Sequence, residues 1–309
     1  MTATHSPGRR AVLRGAALAA VAAPAALTAL ASAAEATGPL PEQYPVTGDV
    51  VDVPGGSLFY WDTGGTGSPV VLDHTATGSA LAWPFQQPAL VGAGHRVIAY
   101  SRRGYYRSSA PTPDDPPAAD DLLALVDHLG LRKFDLIGAA LGGFVAMDFA
   151  LSHPERLRSL VIANSQMGIQ EPEFRATLAR LQPTGFNAMP HSFLELGGPY
   201  RAADPDGVAR WEQLAALSRP EGLPLPKLAN NITWALLEKM TVRTLLTAGE
   251  GDLYLPIPLT RTVLGHLPDA RLVIFSEAGH TPHWERPDAF NRWILQFLAG
   301  ARFPRESRG

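Results

Sequence analysis

Apolar residues in this chain follow two rhythms, and the order of those rhythms predicts an architecture. Short apolar runs bounded by turn residues fall at residues 70–73, 97–100, 134–137, 160–163, 244–247 and 272–275. Strands buried on both faces have this appearance. Ahead of them, residues 51–53 and 58–61 flank a Pro-Gly-Gly turn and predict a hairpin. Between the runs the spacing becomes helical. Leu122, Leu125, Val126 and Leu129 stand at i, i+3, i+4 and i+7 within 117–131. Helices are also expected over 80–90, where prolines interrupt, and over 141–151, 260–267 and 289–298. Strands alternating with helices imply an α/β fold with a mostly parallel sheet covered on both faces.

The alternation lapses between residues 165 and 239. That stretch is rich in Pro and Gly and carries isolated aromatics, among them Phe193, Tyr200, Trp211 and Trp234. It reads as a cap inserted into one domain, dividing a core of 34–164 from its continuation at 240–309. At the start of the chain, Arg9-Arg10 precede an apolar run over 11–31 that ends in Ala31-Ser32-Ala33. This resembles a twin-arginine export signal, an address read by a receptor and removed at small residues. Residues 1–33 are therefore expected to direct folded export to the periplasm or beyond. No later stretch is long and apolar enough to span a bilayer, so none is expected in the mature form.

Composition narrows the chemistry. Of 309 residues, 46% are hydrophobic and 18% charged, enough for a large core. The net charge of −3 and the lack of a basic run give no reason to expect a nucleic-acid partner. The absence of cysteine excludes disulfides, a thiolate metal site and a cysteine nucleophile.

The candidate chemistry begins where a strand runs into Gly138-Ala139-Ala140-Leu141-Gly142 and a helix follows. A sharp strand-to-helix turn exposes its apex residue and requires small neighbours, because backbones pass close by. Further on come Gly249-Glu250-Gly251-Asp252 after one strand and Ala278-Gly279-His280 after the next. Upstream stands Arg103-Gly104-Tyr105-Tyr106-Arg107-Ser108. Together these segments resemble the nucleophile elbow, acid loop, histidine loop and post-strand turn of the α/β-hydrolase superfamily, in that family's chain order. The resemblance spans roughly 51–298 apart from the cap. It implies a mostly parallel eight-stranded sheet, His280 as base and Asp252 as acid. Ala140 stands where the nucleophilic serine belongs, and Tyr106 stands where the turn has a glycine. His74-Thr75-Ala76 stands where the family has a His-Gly pair, with Thr75 in place of glycine. The implied oxyanion donors are the N–H groups of Ala76 and Leu141.

Other readings remain open at this stage. Asp252 would also serve as a loop acid capping a helix near Pro256, and Glu250 is its rival. His280 would also pack under the last helix. His74, Thr75, Tyr105, Tyr106, Trp211, Trp234 and Trp284 are candidates to line a substrate pocket, although aromatic packing explains them equally well. His191 and His283 lack a motif context. Ser165, Thr75 and Thr77 offer hydroxyls but no elbow. Alanine has no oxygen to attack with, so ordinary serine-esterase activity is expected to be absent. The expected function is cofactor-free acid/base chemistry, non-hydrolytic, on a hydrophobic or aromatic small molecule of specialised metabolism. A general-base hydrolase, in which His280 activates water, is a close variant. The alternatives are a serine hydrolase inactivated at position 140 and a binding protein without turnover.

Overall fold

A computed structural model describes residues 1–2, 39–182, 184–218 and 222–309 of the chain. The expected export segment lies almost wholly outside them. Nine strands form one sheet: β1 (Thr47–Val53), β2 (Gly56–Asp62), β3 (Pro69–Asp73), β4 (Arg96–Tyr100), β5 (Phe134–Ala139), β6 (Leu157–Ala163), β7 (Thr244–Gly249), β8 (Ala270–Phe275) and β9 (Glu306–Arg308), in spatial order 1-2-4-3-5-6-7-8-9. The β1–β2 hairpin and its junction with β4 are antiparallel, and every other pairing is parallel.

One strand more is present than the resemblance implied. The addition is β9, whose Glu-Ser-Arg sequence carries no strand pattern. It is held at the sheet edge by pairing with β8 and by the ion pairs Arg261–Glu306 and Arg308–Glu250.

The two-residue period of the strands sorts their side chains into two cores. Val71, Ile98, Leu136, Leu160, Leu246 and Leu272 point to one face. There they meet α2 (Ala118–His128), α3 (Gly142–Ser152) and α9 (Ile257–Gly265). Val70, Leu72, Val97, Ile137, Val161, Leu245 and Val273 point to the other, under α1 (Gln86–Gly92) and α11 (Pro287–Leu298). The helix expected over 80–90 is split into a 3₁₀ turn at Ala80–Ala82 and α1.

The segment between β6 and β7, called the insert below, holds no strand among its described residues but several helices. These are α4 (Pro172–Leu181), α5 (His191–Glu195), α6 (Gly198–Ala203), α7 (Pro205–Ser218) and α8 (Trp234–Leu237), with a 3₁₀ turn at Phe186–Ala188. A further short helix, α10 (Pro282–Glu285), follows the last long strand. No described helix is long and apolar enough to cross a membrane.

Close backbone approach fixes the glycines at the end of β5. A Cβ on Gly142 would collide with the backbone carbonyls of Asp73 and His74, and one on Gly138 would lie 2.6 Å from the Ala146 methyl. Gly142→Ala should therefore cost about 3 kcal/mol in urea unfolding. A loss below about 0.5 kcal/mol would mean that this approach is not tight.

Candidate active site

Parallel strands deliver their following loops to one edge of a sheet, where open α/β sheets bind ligands. Here the loops after β3, β5, β6, β7 and β8 converge. Ala140, at the turn from β5 to α3, has φ of 50°. A left-handed φ costs a residue bearing a Cβ about 1–2 kcal/mol, so the surroundings must hold it. The Ala140 N–H donates to the Ala163 carbonyl at 2.8 Å. Its own carbonyl accepts from the Gly143 N–H at 3.0 Å and the Ser165 hydroxyl at 2.5 Å. The strained elbow is thus intact, with a methyl group at its apex. Ser165 is consumed in holding it, since its oxygen also accepts from the Met167 N–H.

His280 and Asp252 come together as the sequence predicted. Nδ1 of the imidazole lies 2.9 Å from each carboxylate oxygen of Asp252. A carboxylate accepts, so Nδ1 carries the proton and Nε2 keeps its lone pair. Burial, the largest influence, pushes the His280 pKa down. The charge and hydrogen bond of Asp252, aided by Glu195 and Glu285, outweigh it and leave the pKa above the ordinary histidine value. Asp252 also accepts from the N–H groups of Tyr254 (2.8 Å) and Leu255 (3.1 Å), which precede α9, so it braces its own loop and does not cap the helix near Pro256. Glu250 does not compete: it is exposed and paired with Arg308.

Asn164, which follows β6, was not singled out in the sequence. Its amide donates to Asp252 (3.1 Å) and to the Gly279 carbonyl (3.3 Å), while its oxygen accepts from the Thr247 hydroxyl (3.0 Å). It sits at φ of 49°, a conformation that asparagine tolerates better than most residues. Tyr254 is a second omission. Its ring lies 4.4 Å from that of His280 and meets Phe186 of the insert edge-on.

The loop after β3 is locked from behind by Arg102. Its guanidinium pairs with Asp73 and donates to the carbonyls of His74 (2.6 Å) and Thr75 (3.1 Å). His74 is used up in this lock. Its Nδ1 donates to the Thr75 carbonyl (2.7 Å) and its Nε2 accepts from the Arg102 N–H (3.1 Å). Burial and the neighbouring Arg102 hold its pKa well below the histidine value, so it is neutral and structural, not pocket-lining. Thr75, in the glycine position, avoids left-handed φ and bonds through its hydroxyl to Thr77 at 3.0 Å. Thr77 in turn donates to Glu195 at 2.8 Å. Among the described residues, the N–H groups of Ala76 and Leu141 donate to no protein acceptor.

The other pocket candidates divide. Thr75, Trp211 and Trp284 share a cavity of about 20 Å³ with Thr77 and His283. Tyr106 is not among them, because its ring packs edge-on against Phe59. It also avoids left-handed φ, which falls instead on Arg107, so glycine is not needed there. Trp234 is displaced too: it stacks on His266 at 4.2 Å and packs against Phe174. Tyr105 packs on His74 and lines a separate cavity of about 460 Å³ walled by Pro111, Pro113 and Leu225. Phe193 is exposed under Arg201, and Tyr200 is buried in the insert against Asp204. Ala140 and His280 retain only 8% and 6% of their exposure, so the site is nearly sealed.

Two buried acids missed by motif reading flank the His280 loop. The Glu195 carbonyl accepts from the His280 N–H at 2.8 Å. Glu285 accepts from the N–H groups of Gly279 (2.9 Å), Gly197 (2.7 Å) and Thr281 (3.1 Å). Burial outweighs those bonds and lifts the Glu285 pKa to about 7. His283 is held down to about 3 by burial and by His280, and is neutral.

The alpha/beta hydrolase family profile matches residues 70–293, and this chain belongs to that family. A protein of Caulobacter sp. (strain K31) named as a carbamate hydrolase is 33% identical over 251 residues, covering 75% of this chain and 90% of its own. A 2-hydroxy-6-oxononadienedioate/2-hydroxy-6-oxononatrienedioate hydrolase of Pseudomonas sp. is 29% identical, covering 79% and 92%. Among solved structures, a thermophilic esterase from Thermogutta terrifontis has a TM-score of 0.65 and 25% identity, covering 83% of this chain and 98% of its own. Hydrolase-type function is thereby supported.

The raised pKa of Glu285 has a consequence for stability. The folded protein binds this proton more tightly than the unfolded chain, where the value is near 4.5. Its contribution is whole below that value and is lost as pH rises through about 7, a change of about 3 kcal/mol. Between about pH 4.5 and 8, the parent should therefore lose about 3 kcal/mol more unfolding free energy than Glu285→Gln. Parallel stability curves for the two proteins would contradict this.

Proposed function

We propose that this protein is an acid/base enzyme that works without a serine nucleophile, with His280 as general base and Asp252 orienting it. The observation that carries the reading is the dyad, buried and bonded, at the same sheet edge as the elbow whose apex is Ala140. A chain that only bound ligands would have no need of a protonated Nδ1 and a free Nε2.

In the usual mechanism of this fold the imidazole takes a proton from serine, which then attacks the carbonyl. Here Nε2 takes the proton from a water seated beside the Ala140 methyl, and that water attacks directly. Negative charge develops on the carbonyl oxygen, and the N–H groups of Ala76 and Leu141 are its proposed donors. The imidazolium then returns the proton to the leaving group. No acyl-enzyme forms. Losing the serine of a serine protease costs about 10⁶ in kcat, and the remaining parts retain roughly 10³–10⁴ over water, so slow turnover of simple esters is expected. The relatives named as hydrolases support hydrolysis of a small carbonyl compound. The near-sealed site favours a second reading, in which the imidazole abstracts a proton from an apolar substrate instead of from water, without hydrolysis.

Hydrolysis of p-nitrophenyl acetate should be slow, without a burst, and at least about 100-fold slower in His280→Ala. Because the His280 pKa is raised, the rate should fall with pH below a point above the ordinary histidine value. An unchanged rate in His280→Ala would remove His280 from the mechanism. Release of a nitrophenolate burst by the parent would show an acyl-enzyme and contradict direct attack.

A further inference from the structure

The loop that carries His280 is gripped from a second side. Glu285, wholly buried, receives the N–H groups of Gly279 and Thr281, the residues on either side of the imidazole, and the Thr281 hydroxyl at 3.2 Å. The same carboxylate receives the Gly197 N–H of the insert. The insert answers through Glu195, whose carbonyl takes the His280 N–H and, at 3.3 Å, shares the single Thr281 hydroxyl proton with Glu285. The two backbones touch at glycines. A Cβ on Gly197 would lie 2.8 Å from the Gly279 nitrogen, and one on Gly279 would lie 2.5 Å from the Gly197 nitrogen.

We propose that Glu285 is a positioning residue: it clamps residues 279–281 to residues 195–197, so that the aim of the His280 imidazole depends on the insert. The catalytic consequence rests on the reading of His280 as base. The clamp itself does not. A carboxyl group taken out of water needs partners for its oxygens, and three backbone donors and a hydroxyl supply them, offsetting part of the burial cost. Its neighbours explain why the position also acts on the imidazole electrically. His280 faces Asp252 after β7, Glu195 on α5, Glu285 and the neutral His283 on α10, and the Tyr254 phenol. Of these, only Glu285 holds the loop on both sides of the ring. Rotating the imidazole by a loop shift of about 1 Å is enough to cost roughly 10²-fold in rate.

The test reads the Nδ1 proton of His280, bonded to Asp252, by proton NMR of the full protein, with the signal assigned by its loss in His280→Gln. Glu285→Gln keeps the shape but removes the charge. The His280 titration should then move to lower pH, its proton affinity falling by about threefold or more. Gly197→Ala alters no ionisable group but crowds the junction from the insert side. It should broaden or shift the Nδ1 proton and lower ester kcat by about tenfold or more, with KM changed less than about twofold. If Glu285→Ala folds, it should show both effects. An Nδ1 signal and a His280 titration identical to the parent in Glu285→Gln and Gly197→Ala would overturn the clamp. If instead the NMR changes appear while His280→Ala hydrolyses ester like the parent, the clamp stands and the catalytic reading falls.

Discussion

The bond between the His280 imidazole and the Asp252 carboxylate is the constraint that organises this edge of the sheet. A buried imidazole resists protonation, and a buried carboxylate is costly unless its oxygens are filled. Asp252 meets that condition with two loop N–H groups and the Asn164 amide as well as His280. Asn164 in turn is fixed by Thr247 and bonds to Gly279, beside the histidine. The next residue, Ser165, holds the Ala140 carbonyl at the elbow. The ends of β5, β6, β7 and β8 are thus tied into one network. A shift in any of these loops would misalign the ring.

Alanine at position 140 leaves this network and the turn from β5 to α3 in place. The elbow keeps its left-handed backbone and its close glycine contacts. Position 140 offers no attacking oxygen, and the proposal gives that part to water or, where the imidazole takes a proton from the substrate, dispenses with it. The low exposure of Ala140 and His280, with the Tyr254 ring against the imidazole, bears on that choice, since it limits the water that reaches the base.

The fold and the dyad were legible in the sequence for a physical reason. Buried parallel strands must be apolar on both sides, and elbow glycines are forced by backbone contact, so both leave marks that a single chain displays. Runs such as 134–137 and 244–247 and the spacing of Leu122, Leu125 and Val126 fall where β5, β7 and α2 lie. What escaped is what depends on partners distant in the chain. Glu285 looks like an ordinary helix acid until Gly197 is brought to it, and Asn164 looks like a loop residue until Asp252 arrives. His74 and Trp234 were misplaced for the opposite reason. Aromatic and imidazole rings satisfy a core as readily as a pocket, and only the fold reveals that Arg102 and His266 had already claimed them.

The central claim, a competent dyad facing an elbow without a nucleophile, is tested most directly by intact-protein mass spectrometry after treatment with a fluorophosphonate. That reagent is attacked by a serine oxygen only when an adjacent base activates it. The parent should stay unmodified, and Ala140→Ser should gain one adduct, on residue 140. Modification of the parent would reveal a nucleophile that this account does not contain. An inert Ala140→Ser protein would show that His280 and Asp252, although bonded to each other, are not aimed at the elbow.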